Sequence, residues 1–283
     1  MAQDQAKRKE VIKPNTNWLN FHFKEIWQYR DLLMLFVRRD FVSVYKQTVL
    51  GPAWYLLQAL FTTIAFTLIF GKVAKLPTDG VHPVLFYMAG VVSWNYFSQC
   101  LVKTSNTFVN NAGIFGKVYF PRMTVPISIV ISNLVGFGFQ LLMFFGFLIY
   151  FYTTGMPVNL NMSLMLFPVL LLIMAGLGLG IGIIISSLTT KYRDLQYLVT
   201  FGVQLLMYAT PVIFPLSFFE GKLRTLVLLN PMTSIVETFK FAFLGSGTFN
   251  WLYLGYSAVF MIVVLIIGVL LFNRVERSFM DTV

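Results

Sequence analysis

Apolar residues run in long blocks along this chain, and short polar stretches separate them. Six blocks stand out: Pro52 to Gly71, Pro83 to Val102, Thr124 to Tyr152, Ser163 to Leu188, Leu195 to Ser217 and Trp251 to Phe272. Each reaches the ~20 residues a helix needs to cross a bilayer, and none contains Asp, Glu, Lys, Arg or His. The pattern predicts an all-α integral membrane protein with six transmembrane helices.

Ahead of the first block, Trp18, Leu19, Phe23, Ile26 and Trp27 recur at near-helical spacing among Asn20, Lys24, Glu25 and Gln28. That spacing suits an amphipathic helix lying in the bilayer interface. The next apolar run, Leu32 to Val37, is bracketed by Arg30 and Asp31 before it and Arg38, Arg39 and Asp40 after it. It is too short to span, which leaves a juxtamembrane anchor or a cytoplasmic gate or docking element. Residues 1–50 therefore form an N-terminal segment and residues 51–283 a transmembrane domain. No small-residue cleavage signal follows a short apolar stretch near the N-terminus, so the spans themselves are expected to direct insertion.

Two blocks carry internal punctuation. The fourth has Gly176, Gly178, Gly180 and Gly182 in alternation. The spacing is wrong for a dinucleotide loop and no strand precedes it, whereas the interleaved pairs 176/180 and 178/182 suit close helix packing in lipid. The fifth block meets Pro211 and Pro215, each of which removes a backbone donor. Beyond it, Asn230 and Pro231 read as an N-cap and first helical residue and Gly245 as a stop, enclosing a helix of ~21 Å, too short to cross. With Glu237 and Lys240 three residues apart, this segment reads as a re-entrant or interfacial helix on the outer face, or as a packed outer loop.

Composition agrees with the pattern: 57% of residues are hydrophobic and 11% charged, and the mean hydropathy is +0.74. The formal charge of +10 would suggest a nucleic-acid partner in a soluble chain. Here its placement gives another meaning. Sixteen of the 21 Lys and Arg lie before Leu50, between Lys103 and Arg122, in the Thr189 to Asp194 turn, or in the tail, all on one side of a six-span topology. By the positive-inside rule that side is cytoplasmic and holds both termini, facing anionic headgroups. No nucleic acid is expected as a partner.

Several chemistries are not encoded. Spans without ionisable residues offer no evident site for a driving ion, although broken helices could build one for sodium from backbone carbonyls. The pairs Gly71-Lys72, Gly116-Lys117 and Gly221-Lys222 are followed by Val, Val and Leu, so none completes a GxxxxGK[ST] phosphate loop. The soluble N-terminal segment is too short for a nucleotide-binding domain, so any ATPase must be a separate chain and the chain itself is not an enzyme. One cysteine and two histidines outside the spans leave no metal site.

Short motifs then bring in a family. Arg38-Arg39-Asp40 with Val44-Tyr45-Lys46-Gln47-Thr48-Val49-Leu50-Gly51-Pro52-Ala53-Trp54 resembles the entry to the first span of ABC-2 type permeases that export bacterial surface polysaccharides. In the same order follow Trp94-Asn95-Tyr96-Phe97, Lys117-Val118-Tyr119-Phe120-Pro121-Arg122, Tyr192-Arg193-Asp194-Leu195, Pro211-Val212-Ile213-Phe214-Pro215, Asn230-Pro231-Met232 and Val275-Glu276-Arg277-Ser278-Phe279. The resemblance covers the chain from about Arg38 to its end.

It implies the membrane subunit of an O-antigen, capsule or teichoic-acid exporter in the bacterial inner membrane. Two copies would surround the channel for a lipid-linked polysaccharide, and two ABC ATPase subunits would bind ATP and magnesium underneath. A drug or lipid exporter of the same architecture is the alternative. By position, Asn110, Lys117, Tyr119, Arg122, Tyr192, Arg193 and Asp194 become ATPase-coupling candidates. Trp18, Phe23, Trp27, Arg38 and Arg39 become the cytoplasmic gate. The outer gate would hold Pro211, Pro215, Asn230, Pro231 and Glu237. Because sugars stack on aromatic rings, Trp54, Tyr55, Trp94, Tyr96 and Tyr208 are the channel candidates.

Overall fold

A computed structural model describes residues 23–46, 48–118, 120–156 and 161–282. Trp18 and Tyr119 fall outside them. All regular structure among the described residues is helical. In chain order the helices are α1 (Phe23–Gln28), α2 (Arg30–Tyr45), α3 (Ala53–Phe66), α4 (Pro83–Ser105), α5 (Thr107–Phe115), α6 (Thr124–Thr153), α7 (Phe167–Thr189), α8 (Leu195–Tyr208), α9 (Gly221–Leu229), α10 (Pro231–Leu244) and α11 (Trp251–Thr282). A π-helical turn, Thr67–Val73, extends α3, and a 3-10 turn, Met162–Leu166, opens α7.

Four of these are long and apolar enough to cross a membrane: Ala53–Val73, Thr124–Thr153, Met162–Thr189 and Trp251–Glu276. The count becomes five if α9 and α10, bent by 95° at Asn230, form one broken span. The protein is therefore multi-pass, but the six blocks are not six equal spans. α4 is long enough at 23 residues, yet it is less apolar, carrying Ser93, Asn95, Ser98 and Gln99. It can be so because it packs against α3, α6, α7, α8 and α10 and buries Leu85 to Trp94 without interruption. A helix enclosed by protein has no lipid-facing stripe to keep apolar.

The fifth block departs further from expectation. Its helix stops at Tyr208, and 14 residues give only ~21 Å against a hydrocarbon core of ~30 Å. Pro211 and Pro215, with no N–H to donate, end it. The run Leu32 to Val37 likewise turns out to be the middle of the 16-residue α2, which lies along α6 and buries Phe36. Lys103, assigned from the sequence to a loop, sits in the last turn of α4 and donates to Asn133 Oδ1 of α6 at 2.8 Å.

The centre of the bundle is α7, held between α4 and α11. Its glycine alternation explains the arrangement, because residues four apart share a face while residues two apart do not. A Cβ on Gly178 would lie 2.6 Å from Cys100 Cβ, and one on Gly182 would overlap the Thr104 hydroxyl, both on α4. On Gly176 it would strike the Met261 side chain, and on Gly180 it would come within 3.0 Å of the Leu265 amide, both on α11. One pair thus serves each neighbour, as small residues do where helix backbones meet in lipid. Thr104 Oγ1 also donates to the Gly178 carbonyl at 3.2 Å, and Thr189 Oγ1 to that of Ser105 at 3.2 Å.

Candidate functional site

The functional candidates fall at the two ends of the bundle and along one exposed face between them. At the end formed by α2, α5 and the α5–α6 loop, an aromatic cluster joins distant segments. Phe36 of α2 lies 5.6 Å from Phe120, Phe115 of α5 lies 5.8 Å from Phe120, and Phe108 stacks on Phe272 of α11 at 4.5 Å. Arg122 follows in the same loop and is only 6% exposed. It donates through a terminal nitrogen to the Glu276 carbonyl at 2.8 Å, lies 3.8 Å from the Glu276 carboxylate, and places its guanidinium 5.4 Å from the centre of the Phe115 ring. Burial pulls the Arg122 pKa below its ordinary value, and the Glu276 carboxylate works against that pull.

The loop is thus fastened to α11 by a residue that cannot reach a partner's surface. Asn110, Lys117, Tyr192, Arg193 and Asp194 do stand exposed. Lys191 covers the Tyr192 ring at 5.4 Å, and Asp194 precedes α8. On the gate side, the side chains of Arg38 and Arg39 are exposed. Arg39 pairs with Asp40 at 2.8 Å and lies over Phe36 at 4.8 Å. Trp27 is 71% exposed with Arg30 over its ring at 5.9 Å, a shape suited to the headgroup layer. The Phe23 backbone opens α1.

The five channel candidates separate. Trp54 and Tyr208 are exposed, whereas Trp94 and Tyr96 are buried. Trp94 packs edge-on to Phe97 at 5.3 Å and Tyr96 tilts against Phe137 at 5.0 Å, so both rings are taken up by this chain's own core. Tyr55 packs its ring over Gly136 of α6, where a Cβ would come within 2.8 Å.

The structure adds residues that hydropathy alone did not mark. α8 buries only Val203, and Tyr197, Thr200, Phe201, Gln204 and Tyr208 line up on its open side, with Tyr197 81% exposed. Gln58 is exposed on α3, and Asn95 of α4 donates to Gln140 of α6 at 3.2 Å. Uncharged polar residues at helical spacing inside apolar blocks were the available signal.

At the opposite end α9 and α10 form a bent hairpin. The Asn230 side chain accepts from the Met232 N–H at 3.0 Å, Pro231 takes the first helical position, and Gly245 closes α10 at φ 70°, the left-handed conformation that glycine tolerates. Asn230 also donates to Thr210 Oγ1 at 2.7 Å, tying the hairpin to the end of α8. Replacing Asn230 with alanine is expected to cost ~1 kcal/mol through the cap alone. A fall in the thermal midpoint of the purified protein would register it.

Other bonds hold α10 on its remaining sides. Ser234 and Ser257 hydroxyls meet at 2.7 Å, Ser257 donates to the Pro231 carbonyl at 2.7 Å, and Asn161 Nδ2 donates to that of Phe241 at 3.0 Å. Of the arrangements the sequence left open, the burial of α10 along most of its length fits a helix packed into the bundle. Glu237 is 1% exposed and Lys240 0%.

The comparisons with known proteins agree with one another. Over 251 residues, 89% of this chain and 94% of the relative, the sequence is 26% identical to the O-antigen export system permease protein RfbA of Klebsiella pneumoniae. Over 225 residues, 78% of this chain and 83% of the relative, it is 29% identical to the protein of the same name from Myxococcus xanthus. The model of the ABC-2 type transporter membrane family matches residues 31–244. That stretch runs from α2 through the buried α4 and the glycine-packed α7 to the last residue of the bent hairpin, and on this ground the chain belongs to the ABC-2 type transporter family.

Proposed function

We propose that this protein is the membrane-spanning subunit of an ATP-driven exporter of a lipid-linked, O-antigen-like polysaccharide. Two copies form the channel and a separate ATPase pair drives it. The observation that carries this reading is the open face of α8. Tyr197, Thr200, Gln204 and Tyr208 repeat every three or four residues on a helix that buries little against its own chain. An unpaired amide facing lipid is costly, so such a face suits a hydrated path or a second subunit. Aromatic rings with uncharged polar groups between them can hold sugars without recognising a charge. The exposed Trp54 and Gln58 of α3 offer the same chemistry.

In this reading the end with α1, α2 and α5 is cytoplasmic, in accord with its Lys and Arg excess. Asn110, Lys117 and the Tyr192 to Asp194 turn are exposed there for contact with the ATPase. Arg122 passes the displacement inward to α11. The α9–α10 hairpin closes the outer side. Matches to two O-antigen export permeases, over 89% and 78% of this chain, support the cargo.

Cells lacking this chain are expected to retain polyprenyl-linked glycan on the inner side and lose it from their surface. The purified chain is expected to bring down an ATPase and hydrolyse ATP with it. Intact surface glycan with acquired drug sensitivity would overturn the cargo, and absence of any bound ATPase would overturn the energy source.

A further inference from the structure

The two charged residues of α10 are buried, and the function proposed above gives Lys240 no role. A fully buried ammonium without close carboxylate pairing is costly unless its donors are satisfied. Lys240 solves this with two partners from different elements. Its Nζ donates to the Pro211 carbonyl at 2.5 Å and sits 3.4 Å above the centre of the Phe86 ring of α4. Glu237, one turn earlier, accepts from the Thr248 N–H at 3.0 Å, and the Leu216 amide faces it as well.

Pro211 and Leu216 bracket the segment in which α8 is broken. In a continuous helix the carbonyls at the end of α8 would accept from amides one turn on, but Pro211 and Pro215 have none to offer. α10 supplies the replacement for the missing Pro215 amide, the Lys240 ammonium on the Pro211 carbonyl, while the Asn230 side-chain amide holds the Thr210 hydroxyl just before the break. From the other side α4 presses close, since a Cβ on Gly90 would lie 3.0 Å from both the Cα and the carbonyl oxygen of Val212.

We infer that Lys240 is a positioning residue of the outlet: it clamps the broken end of α8 to the re-entrant helix and to α4, so that these three segments keep one geometry as cargo leaves. The inference rests on the reading that the α8 face borders the path. It places the fixed part of the outer gate in the Lys240, Pro211 and Phe86 contact, on the buried side of the hairpin, away from the exposed Leu223 and Leu226 of α9.

The test uses the full complex in native membranes, with Val212→Cys as a reporter in a Cys100→Ser background. Val212 is 0% exposed beside the clamp. Lys240→Met keeps the length of the side chain but removes the donor, and Lys240→Arg keeps a charged donor. Two quantities are read: the rate at which a water-soluble maleimide labels residue 212, and glycan on the cell surface relative to ATP hydrolysed.

Lys240→Met is expected to speed labelling by about tenfold or more, the scale of one lost charge-assisted hydrogen bond. It is also expected to lower export per ATP by a similar factor, while Lys240→Arg stays near the parent in both. Labelling no faster in Lys240→Met would overturn the clamp, whatever the cargo is. Faster labelling with normal export would overturn its role at the outlet. If the parent complex moves no glycan, the cargo reading fails by itself and the labelling still decides the clamp. Should Lys240→Met not accumulate, Phe86→Leu weakens the same contact from α4, and unchanged labelling in that variant would equally overturn the inference.

Discussion

Replacing Gly182 with leucine is expected to prevent the protein from accumulating in the membrane. The hydroxyl a Cβ would meet cannot turn aside, because Thr104 Oγ1 is held by the Cys100 carbonyl at 2.6 Å and by that of Gly178 at 3.2 Å. The Leu101 carbonyl, 3.0 Å from the same Cβ, is backbone and cannot move without displacing α4. Overpacking of this kind costs ~1–3 kcal/mol where a core can adjust, and here two helix backbones would have to separate. Gly138 of α6 is the control, since a Cβ there meets nothing within 4 Å. Equal amounts of Gly182→Leu and Gly138→Leu protein in membrane fractions would contradict the packing argument. Gly178→Val should resemble Gly182→Leu, and Gly180→Leu should loosen α11 instead of α4.

Substituting glutamine for Arg122 is expected to separate ATP hydrolysis from export. The arginine grips Glu276 twice, through its carbonyl and its carboxylate, and rests on Phe115. Removing a buried, charge-assisted contact costs ~2 kcal/mol, which a thermal unfolding measurement on the complex would detect. The larger effect should be functional. With the grip gone, a push on the exposed α5–α6 loop is no longer handed to α11, so the ATPase still turns over while export falls by about tenfold, the equivalent of ~1.4 kcal/mol of lost coupling. Glu276→Gln should do less, because the carbonyl still accepts. A variant that lost hydrolysis and export in equal measure would point to failed assembly with the ATPase instead.

Both predictions concern contacts between residues far apart in the chain, and they mark the boundary of what a linear reading reaches. Helix ends were legible where local chemistry sets them. Asn230, Pro231 and Gly245 delimit α10 because a cap, a proline and a left-handed glycine act within a few residues. The two glycine pairs on α7 were legible for the same reason, since spacing alone puts them on separate faces. Their partners were not, because nothing local tells α4 from α11.

Trp94 and Tyr96 show where composition misleads. An aromatic residue in an apolar block can line a path, face lipid or fill a core, and the burial that separates these is a property of the packed bundle. Thr200 and Gln204 were overlooked for the converse reason: single uncharged polar residues hardly alter hydropathy, yet on the open face of α8 they set its chemistry.

The opening pattern of charge-free apolar blocks by itself determined that this protein lies in a membrane and that its chain crosses several times. Those conclusions follow from transfer free energies, which are nearly additive along a chain. Only the tertiary structure decided that α4 is enclosed, that α8 is short and open, and that Glu237 and Lys240 are buried in the core. Each of these depends on which groups are brought within hydrogen-bond reach across long sequence separations. A lysine pays for leaving water only if its partners, here Pro211 and Phe86, have already been placed by the rest of the fold.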